Sequence, residues 1–512
     1  VAAKVEGREG LADSVYVSFH QKIQGVPVEG SYLNFTIKLI GGRAVVVASS
    51  AQLYPTLSLD AFGRLSDDQI LEAAFERLGR PTGSTDDLQR VGRRIMHLQG
   101  RWRSAYLLYS ESKILMAAVD VVTGESFAWD PRMTMSAPTP IDRTGAAPDQ
   151  FEGSGVGAEG KVTGRGVEFD PANATELDVM PMAHIELKAS DGRTFYTDAE
   201  GFFTLEDSAS GPVTLRARLK GRWATIEDQE KSNLTVSVTV SPGETILLQF
   251  NPVGADENAV AQVNAYRHAT RAHDWVKSRG INARGIDVSL KVKSNIDRDC
   301  NAYYTPWSPS LNFFQGSGRC INTAYDTVVY HEYGHFVDDV IGGIVNGALS
   351  EGWGDIIGMY MTEQPVLGEG FLRNQERHYI RHGENTYQFR SRDEVHKQGQ
   401  AWMGFGWKLR QNLVASLGAE RGAALADALV MPVLFANVRT IPAAIEAVLL
   451  RDVGEDGLAA HFAEISAAAR SHGIELNEPR PGQLAAPATV RRRSFLRWLA
   501  DLGESLVRAI RG

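Results

Sequence analysis

The sequence has few of the features that mark a disulfide scaffold, a membrane protein or a nucleic-acid-binding protein. Its 512 residues include two cysteines, Cys300 and Cys320, which excludes a disulfide framework and a cysteine zinc cluster. No run reaches the roughly 18 apolar residues of a membrane span, so no such segment is predicted. Acidic side chains outnumber basic ones by 62 to 53, and the net charge of −9 argues against nucleic acid as a partner.

Patterns of strands, helices and turn residues change along the chain and indicate several domains. Residues 1–135 combine strand patterns with a helix pattern that begins at Ser66, which predicts a small α+β unit. Residues 136–160 contain three prolines and no periodicity, which predicts a linker where the chain is cut. Residues 161–252 show short alternating strands between turn residues, which predicts an antiparallel β-sandwich.

The remaining chain divides into a candidate catalytic segment and a tail. Residues 253–480 begin with mixed strand and helix patterns and are mainly helical from Thr323 onward. Residues 481–512 gather apolar residues on one helical face and carry six arginines against two acids. This basic amphipathic tail predicts contact with an anionic membrane surface or a sorting role, and a helix docked on its own protein is the equal alternative. The predicted fold class is therefore multidomain α+β.

Two short motifs predict a catalytic metal site. His331-Glu332-x-x-His335 places two imidazoles one above the other on one helical face, with a carboxylate beside them. The next helical segment carries Glu351 and Asp355, which are four residues apart and share a face. Glu351 can be the third ligand of a two-histidine, one-carboxylate zinc site, because catalytic zinc takes three protein ligands. Asp355 can accept the outer ring N–H of a ligand histidine.

These motifs resemble those of the fungalysin zinc endopeptidases, which are relatives of thermolysin. The stretch 301–304 with 311–316 resembles the strand that lies along the substrate in that family, and 395–402 resembles its histidine segment. Upstream stretches resemble three other modules, namely a fungalysin/thermolysin propeptide at 24–28, a PepSY-type module at 102–132 and a carboxypeptidase regulatory-type sandwich at 161–250. The resemblance implies a thermolysin-like catalytic domain with a mixed β part followed by a helical part.

The resemblance also implies the catalytic groups. His331, His335 and Glu351 would bind one Zn²⁺, and Glu332 would act as the general base. His396 would donate a hydrogen bond to the oxyanion of the tetrahedral intermediate. These are the parts that metal-assisted peptide hydrolysis requires, namely a Lewis acid, a base near the water and a hydrogen-bond donor.

Substrate-binding residues are implied in the same way. Asn301 and Ala302 would hold the peptide main chain in an extended form, and Arg381 would orient the substrate. A set of carboxylates for Ca²⁺ is not evident, and we interpret Asp338-Asp339 as a solvated helix end.

The two cysteines flank the predicted substrate strand. A bridge from Cys300 to Cys320 would close a loop of about twenty residues, and a loop of this size contributes roughly 3 kcal/mol in the chain-entropy model. Such a bridge would tie the substrate strand to the metal helix.

Taken together, the sequence predicts a zinc endopeptidase made as an inactive precursor, with its own propeptide as inhibitor and proteins or peptides as substrates. We expect the protein to be secreted or extracellular. The N-terminus shows no charged-then-apolar signal segment, which indicates either that a signal has been removed from this numbering or that export is absent. Two alternatives stay open. One is a catalytically silent binding protein, and the other is a zinc aminopeptidase with the same two-helix site.

Overall fold

The computed structural model describes most of the chain. The described residues are 2–5, 11–40, 43–54, 57, 59, 63–79, 88–113, 115–130, 158–168, 176–205, 212–241, 244–373 and 379–479. The predictions for positions 136–157 of the linker and for the tail at 481–512 lie outside these residues.

Two small sheets and one helix make up the N-terminal unit. Its elements are β1 (Ala2–Val5), β2 (Ser14–Phe19), β3 (Lys22–Ile23), β4 (Val26–Pro27), β5 (Tyr32–Ile40), β6 (Arg43–Gln52), α1 (Asp67–Arg77), β7 (Leu88–Leu98), β8 (Arg101–Ser110), β9 (Leu115–Asp120) and β10 (Ser126–Trp129). One sheet has the strand order β1-β2-β5-β6 and the other has the order β10-β9-β8-β7. This arrangement agrees with the predicted α+β pattern.

Helix α1 begins where the sequence predicts. The Ser66 hydroxyl accepts a hydrogen bond from the backbone N–H of Gln69, and the Gln69 side chain accepts one from the backbone N–H of Ser66. This reciprocal pair satisfies two N–H groups that a helix start otherwise leaves without partners. The helix then buries Ile70 and Ala74 against the second sheet.

The middle of the chain contributes strands to two sheets. Its strands are β11 (Ala158–Gly166), β12 (Asp178–Pro181), β13 (Ile185–Ala189), β14 (Thr194–Tyr196), β15 (Phe202–Leu205), β16 (Val213–Gly221), β17 (Ala224–Asp228), β18 (Thr235–Val240) and β19 (Thr245–Phe250). The first sheet has the order β12-β11-β15, and β19 also pairs with β11. The strands in this region pair antiparallel, as predicted, except that β11 and β19 pair in parallel.

The second sheet continues into the candidate catalytic segment. Three further strands, β20 (Leu290–Ile296), β21 (Ala302–Thr305) and β22 (Ser310–Phe314), extend it. The order is β14-β13-β16-β17-β20-β22-β21, with β18 also paired to β16. Because β17 and β20 pair in parallel, one sheet crosses the predicted boundary at residue 252. Strand β11 starts at Ala158, so the last three positions of the predicted linker are in a strand.

Helices dominate the rest of the described chain. They are α2 (Glu257–Ser278), α3 (Asp326–Gly342), α4 (Gly347–Thr362), α5 (Val395–Leu417), α6 (Ala419–Val430), a 3-10 helix (Met431–Ala436), α7 (Ile441–Asp452) and α8 (Phe462–Arg470), with the short strands β23 (Val366–Leu367) and β24 (Arg381–His382) before α5. The protein is therefore a mixed α/β structure with several sheets. Among the described helices none has the length and apolar character needed to cross a membrane.

Buried polar groups connect the N-terminal unit to the helical part. The ammonium group of Lys38 donates to the backbone carbonyls of Leu450, Arg451 and Val453 at the C-terminus of α7. The Arg451 guanidinium donates to the carbonyl of Ala12 and to the hydroxyl of Ser14. A cation at a helix C-terminus satisfies carbonyls that have no partner inside the helix and is favoured by the helix dipole. The two units thus share one polar interface.

A chain of alternating histidines and aspartates fixes α2 to the sheet. The imidazole of His273 lies 2.9 Å from Asp274 and 3.0 Å from Asp287, and His184 lies 3.0 Å from the other oxygen of Asp274. The indole of Trp223 stacks on the His273 ring with the ring centres 3.9 Å apart. Burial tends to raise the pKa of Asp274, but the hydrogen bonds and charges of the two histidines outweigh it and lower the pKa to about 2.

The first prediction concerns acid stability. A carboxyl group whose folded pKa lies below its unfolded value of about 3.9 stabilises the fold above that pH and loses this effect as the pH falls toward 2. We expect Asp274→Asn to lower the urea midpoint at pH 7 and to differ less from the unchanged protein at pH 3. Tryptophan fluorescence can follow the transition, since Trp223 contacts the cluster. The exposed Asp297→Asn variant is the control, and an equal difference at both pH values would contradict the assignment.

Candidate metal centre

The helix that carries the two histidines is deeply buried. Helix α3 starts at Asp326 after Tyr325, and it ends at Gly343, whose φ of 77° allows the chain to turn away. Tyr325 makes no side-chain hydrogen bond to the start of the helix, and the Thr323 hydroxyl accepts a hydrogen bond from the backbone N–H of Phe314 at 2.8 Å. The start of α3 is therefore fixed by its contact with strand β22.

Two glycines let α3 and α4 cross at very short range. A Cβ atom on Gly334 would lie 2.7 Å from the Cα of Gly354, and a Cβ on Gly354 would lie 2.5 Å from the imidazole of His331. Both distances are shorter than real Cβ contacts, so a side chain at either position would push the helices apart. This close crossing brings α4 under the histidine face of α3.

Three side chains meet where the helices cross. The atoms of His331, His335 and Glu351 that could bind a metal ion all lie within 4.8 Å of one another. We call these three residues the metal group, or the ligand group. The Nε2 atoms of the two histidines are 3.4 and 3.6 Å from the Glu351 carboxylate. One oxygen of Glu351 and one oxygen of Glu332 are buried and accept no hydrogen bond from the described residues. Carboxylate oxygens in this state fit a site that holds a cation.

The outer nitrogen of each histidine is held by its own partner. The Nδ1–H of His331 donates to Asp355 at 2.9 Å, and Arg381 donates two hydrogen bonds of 2.7 Å to the same carboxylate. His335 pairs through Nδ1 with the hydroxyl of Ser350 at 2.8 Å, and Ser350 is also hydrogen-bonded to Asp338. Such outer partners fix the tautomer and leave Nε2 free to bind a metal. Asp355 thus has the contact that the sequence predicts.

The pKa values of the site groups are shifted by burial and by their neighbours. Burial lowers the pKa of His335 to about 4, so its imidazole is neutral near pH 7. Burial also opposes protonation of His331, but the carboxylates of Asp355 and Glu351 outweigh it and raise that pKa. The pKa of Glu332 rises to about 7, mainly because the carboxyl group is buried. A carboxylate with such a value suits proton transfer near neutral pH.

The ligand group opens into a cleft of about 540 Å³. Strand β21 forms one side of it, and Asn301 and Ala302 are among the lining residues. No described strand pairs with the outer side of β21, so this strand is an edge of the sheet beside the cleft. An open strand edge of this kind can bind an extended peptide through main-chain hydrogen bonds.

Tyr304 of the edge strand β21 forms hydrogen bonds to two residues of helix α3. Its backbone N–H donates to the Glu332 carboxylate, and its hydroxyl donates to Asp339 at 2.6 Å. Asp338 is also buried, and burial raises its pKa to about 7. The interpretation of Asp338-Asp339 as a solvated helix end is therefore wrong, because both carboxylates have partners inside the site.

His396 lies at the rim of the cleft, in the first turn of α5. Its Nε2 atom is 3.4 Å from Glu351, and its Nδ1 atom is 2.5 Å from Glu394. The side chain is 56% exposed, in contrast to the buried ligand histidines. The structure therefore brings His396 to the metal group, on the side open to solvent.

The two cysteines lie within bonding distance, as predicted. Cys300 and Cys320 form a disulfide with their Cα atoms 5.4 Å apart. Cys300 immediately precedes β21, and the backbone of Cys320 forms a β-bridge to Leu372. The bridge thus joins the start of the edge strand to the segment that leads into α3.

Comparisons with known proteins add little to this geometry. No family model matches the sequence, and no curated protein matches it. The solved precursor of protealysin, a metalloproteinase from Serratia proteamaculans, is similar over 49% of this chain and 86% of that chain, with 16% identity and a TM-score of 0.37. A likeness of this strength shows no function for this chain.

The second prediction concerns the hydrogen bond between Asp355 and His331. Replacing Asp355 by Asn keeps the size of the side chain and removes its charge, so the hydrogen bond that orients the His331 ring loses its charged acceptor. We expect metal affinity to fall by roughly 10-fold to 100-fold. Competition with a chelator of known affinity would measure it.

A matched control is Asp427→Asn, because Asp427 is also buried and paired with arginines, Arg279 and Arg410, but lies outside the metal group. Equal metal affinity in the two variants would show that Asp355 has no special role at the site.

Proposed function

We propose that this protein is a zinc-dependent endopeptidase made as an inactive precursor. The observation that supports this most directly is the group of His331, His335 and Glu351 within 4.8 Å, with Glu332 beside it in a cleft bordered by an open strand edge. Two imidazoles and one carboxylate are a donor set typical of catalytic zinc, which keeps a further position for water or substrate. When bound there, Zn²⁺ would polarise the scissile carbonyl and lower the pKa of water.

Glu332 is the proposed general base. Its free oxygen is buried next to the ligands, and its other contact is the backbone N–H of Tyr304. From this position Glu332 takes a proton from the attacking water and passes it to the nitrogen of the leaving amine. The Nε2–H of His396 donates a hydrogen bond to the developing oxyanion, which its position at the rim of the cleft supports.

Strand β21 is the proposed binding site for the peptide backbone. A substrate aligned along Asn301 and Ala302 passes the ligand group and Glu332 on α3. The Arg381 guanidinium is occupied by Asp355, which supports a role in orienting that carboxylate and, through it, His331. Direct contact of Arg381 with substrate stays a prediction.

The N-terminal unit is the proposed inhibitor of the precursor. Asp130, directly after its last strand, is among the residues that line the cleft. Trp307, also in the cleft lining, packs against the apolar face of the second N-terminal sheet. A unit in this position hinders access of a protein substrate.

We further propose that the protein works outside the cell, where the Cys300–Cys320 disulfide persists. Calcium binding and contact of the tail with a membrane stay predictions.

The third prediction tests the mechanism. Glu332→Gln should keep about one zinc per chain, since Glu332 is not among the ligands, and should lose more than about 100-fold in the hydrolysis of an unfolded protein. Metal content measured by mass spectrometry and release of peptides are the readouts. A chelator should abolish the activity of the unchanged protein, and added zinc should restore it.

Other outcomes separate the alternatives. Zinc-bound protein without any hydrolysis would favour a binding protein, and release of single N-terminal residues would favour an aminopeptidase. Full activity in Glu332→Gln would refute the proposed base.

The fourth prediction tests the precursor. Incubation of the full chain should yield a product whose new N-terminus lies within residues 136–160, because the chain is predicted to be cut there. N-terminal sequencing identifies that position, and activity should rise as the product accumulates. Glu332→Gln should stay intact under the same conditions. Activity of the uncut chain equal to that of the product would refute inhibition by the N-terminal unit.

A further inference from the structure

The outward face of the long sheet carries a concentration of basic side chains. Along β16 the side chains alternate between a buried row and an exposed row, and the exposed row contains Arg216, Arg218 and Lys220. The buried row faces the core that contains α2, so the basic row points to the opposite side. These cations are notable in a chain whose net charge is −9.

The neighbouring strand adds to the same charge. Lys188 of β13 lies directly opposite Arg216 of β16. A groove of about 210 Å³ lies at this position, and it is lined by Glu186, Lys188, Arg216, Arg218 and Lys220. Like charges in directly opposite positions destabilise a sheet. Glu186 offsets the charge of Lys188 and Lys220 but leaves the two arginines without an acidic partner among the described residues, which favours a function in binding.

The basic surface extends across the sheet toward the cleft. Lys220 pairs with Thr225 in register, and Thr225 pairs with Lys291 on β20. Two residues further along β20, Lys293 pairs with Asn312 of β22. Asn312 in turn pairs with Tyr303 of the edge strand β21. Tyr303 lines the metal cleft. The strand register therefore links the groove to the cleft, through a single β16–β17 pair at Lys220 and past the buried Asn312.

One end of this face already holds a carboxylate. Glu111 of the N-terminal unit forms an ion pair with Lys293. Nearer the groove, Glu227 pairs with Lys291, and Glu186 pairs with both Lys188 and Lys220. Arg216 and Arg218 have no ion-pair partner in the described part of the chain. The groove thus keeps two exposed guanidinium groups available.

We propose that this face is an exosite that binds an acidic segment of a polypeptide substrate. The proposal rests on the proposed peptidase function and adds a substrate preference to it. From Lys220, the position at which β16 pairs with β17, four strand spacings of about 4.8 Å lead to β21, or roughly 19 Å, which about six extended residues can span. An acidic segment about six or more residues from the cut bond therefore reaches Arg216 and Arg218, and in the precursor Glu111 occupies the end nearest the cleft.

Binding can be tested without any catalytic step. The probe is a labelled ten-residue peptide in which Glu alternates with Ser, compared with the same peptide carrying Gln for Glu. Both are titrated into the full chain with Glu332→Gln, so that neither is cut, and anisotropy reports binding. We expect the Glu peptide to bind more tightly, with an advantage that declines as salt rises.

The double change Arg216→Thr and Arg218→Thr should weaken binding of the Glu peptide about fivefold, which is a usual size for two exposed charge pairs. Threonine is chosen because it favours strands. The control variant changes Arg421 and Arg470 to Thr. These two arginines are exposed on α6 and α8, and replacing them removes the same amount of positive charge. Equal binding of Glu and Gln peptides, or equal loss in the control, would overturn the proposal.

A kinetic test extends the proposal to the proposed function. Two substrates share one cleavable core and a six-residue spacer followed by four Glu or four Gln. The Glu substrate should have the lower KM by about fivefold, with kcat unchanged, and the Arg216/Arg218 variant should remove the difference.

Failure of both substrates to be cut, with binding of the Glu peptide intact, would refute the peptidase function and leave an acidic-peptide site. Binding of a labelled sulfated oligosaccharide through Arg216 and Arg218, without binding of the Glu peptide, would overturn the proposal in favour of a polysaccharide.

Discussion

The close crossing of α3 and α4 is the constraint on which the metal group depends. With no side chains at Gly334 and Gly354, the two helices approach until the Glu351 carboxylate lies beside the histidines of α3. Asp355 is one turn further along α4, so the same approach brings it to the outer face of His331. Each histidine is then held between a carboxylate on one nitrogen and a polar partner on the other. The chemistry of the site follows from a packing distance between two backbones.

The metal group could be predicted because its members are close in sequence and helical spacing is regular. His331, His335, Glu351 and Asp355 need only two helix patterns and one turn to be placed on facing sides. The partner of His335 could not be predicted, because nothing in the local sequence shows that Ser350 faces α3. Asp339 was misread for the same reason, since its partner Tyr304 is distant in the chain. Gly334 and Gly354 were missed, although a glycine next to each motif residue was an available signal.

The fold shows the same limit. Strand and helix patterns in 1–135 and the start of α1 at Ser66 follow from local periodicity and capping. The parallel pairing of β17 with β20, which carries one sheet across residue 252, joins segments more than sixty positions apart. Alternation along a strand shows which face is buried but does not identify the neighbouring strand. The division at residue 252 marks the local change from strand to helix patterns, and one sheet continues across that position.

The open edge of β21 has a second consequence. An edge strand with no neighbouring strand on one side can pair with the matching strand of another copy of the same chain. Asp130 and the contact of Trp307 with the N-terminal sheet place the N-terminal unit against this part of the molecule. The N-terminal unit therefore lies beside an edge at which strands of two copies could pair, a constraint on self-association that does not involve the histidine site.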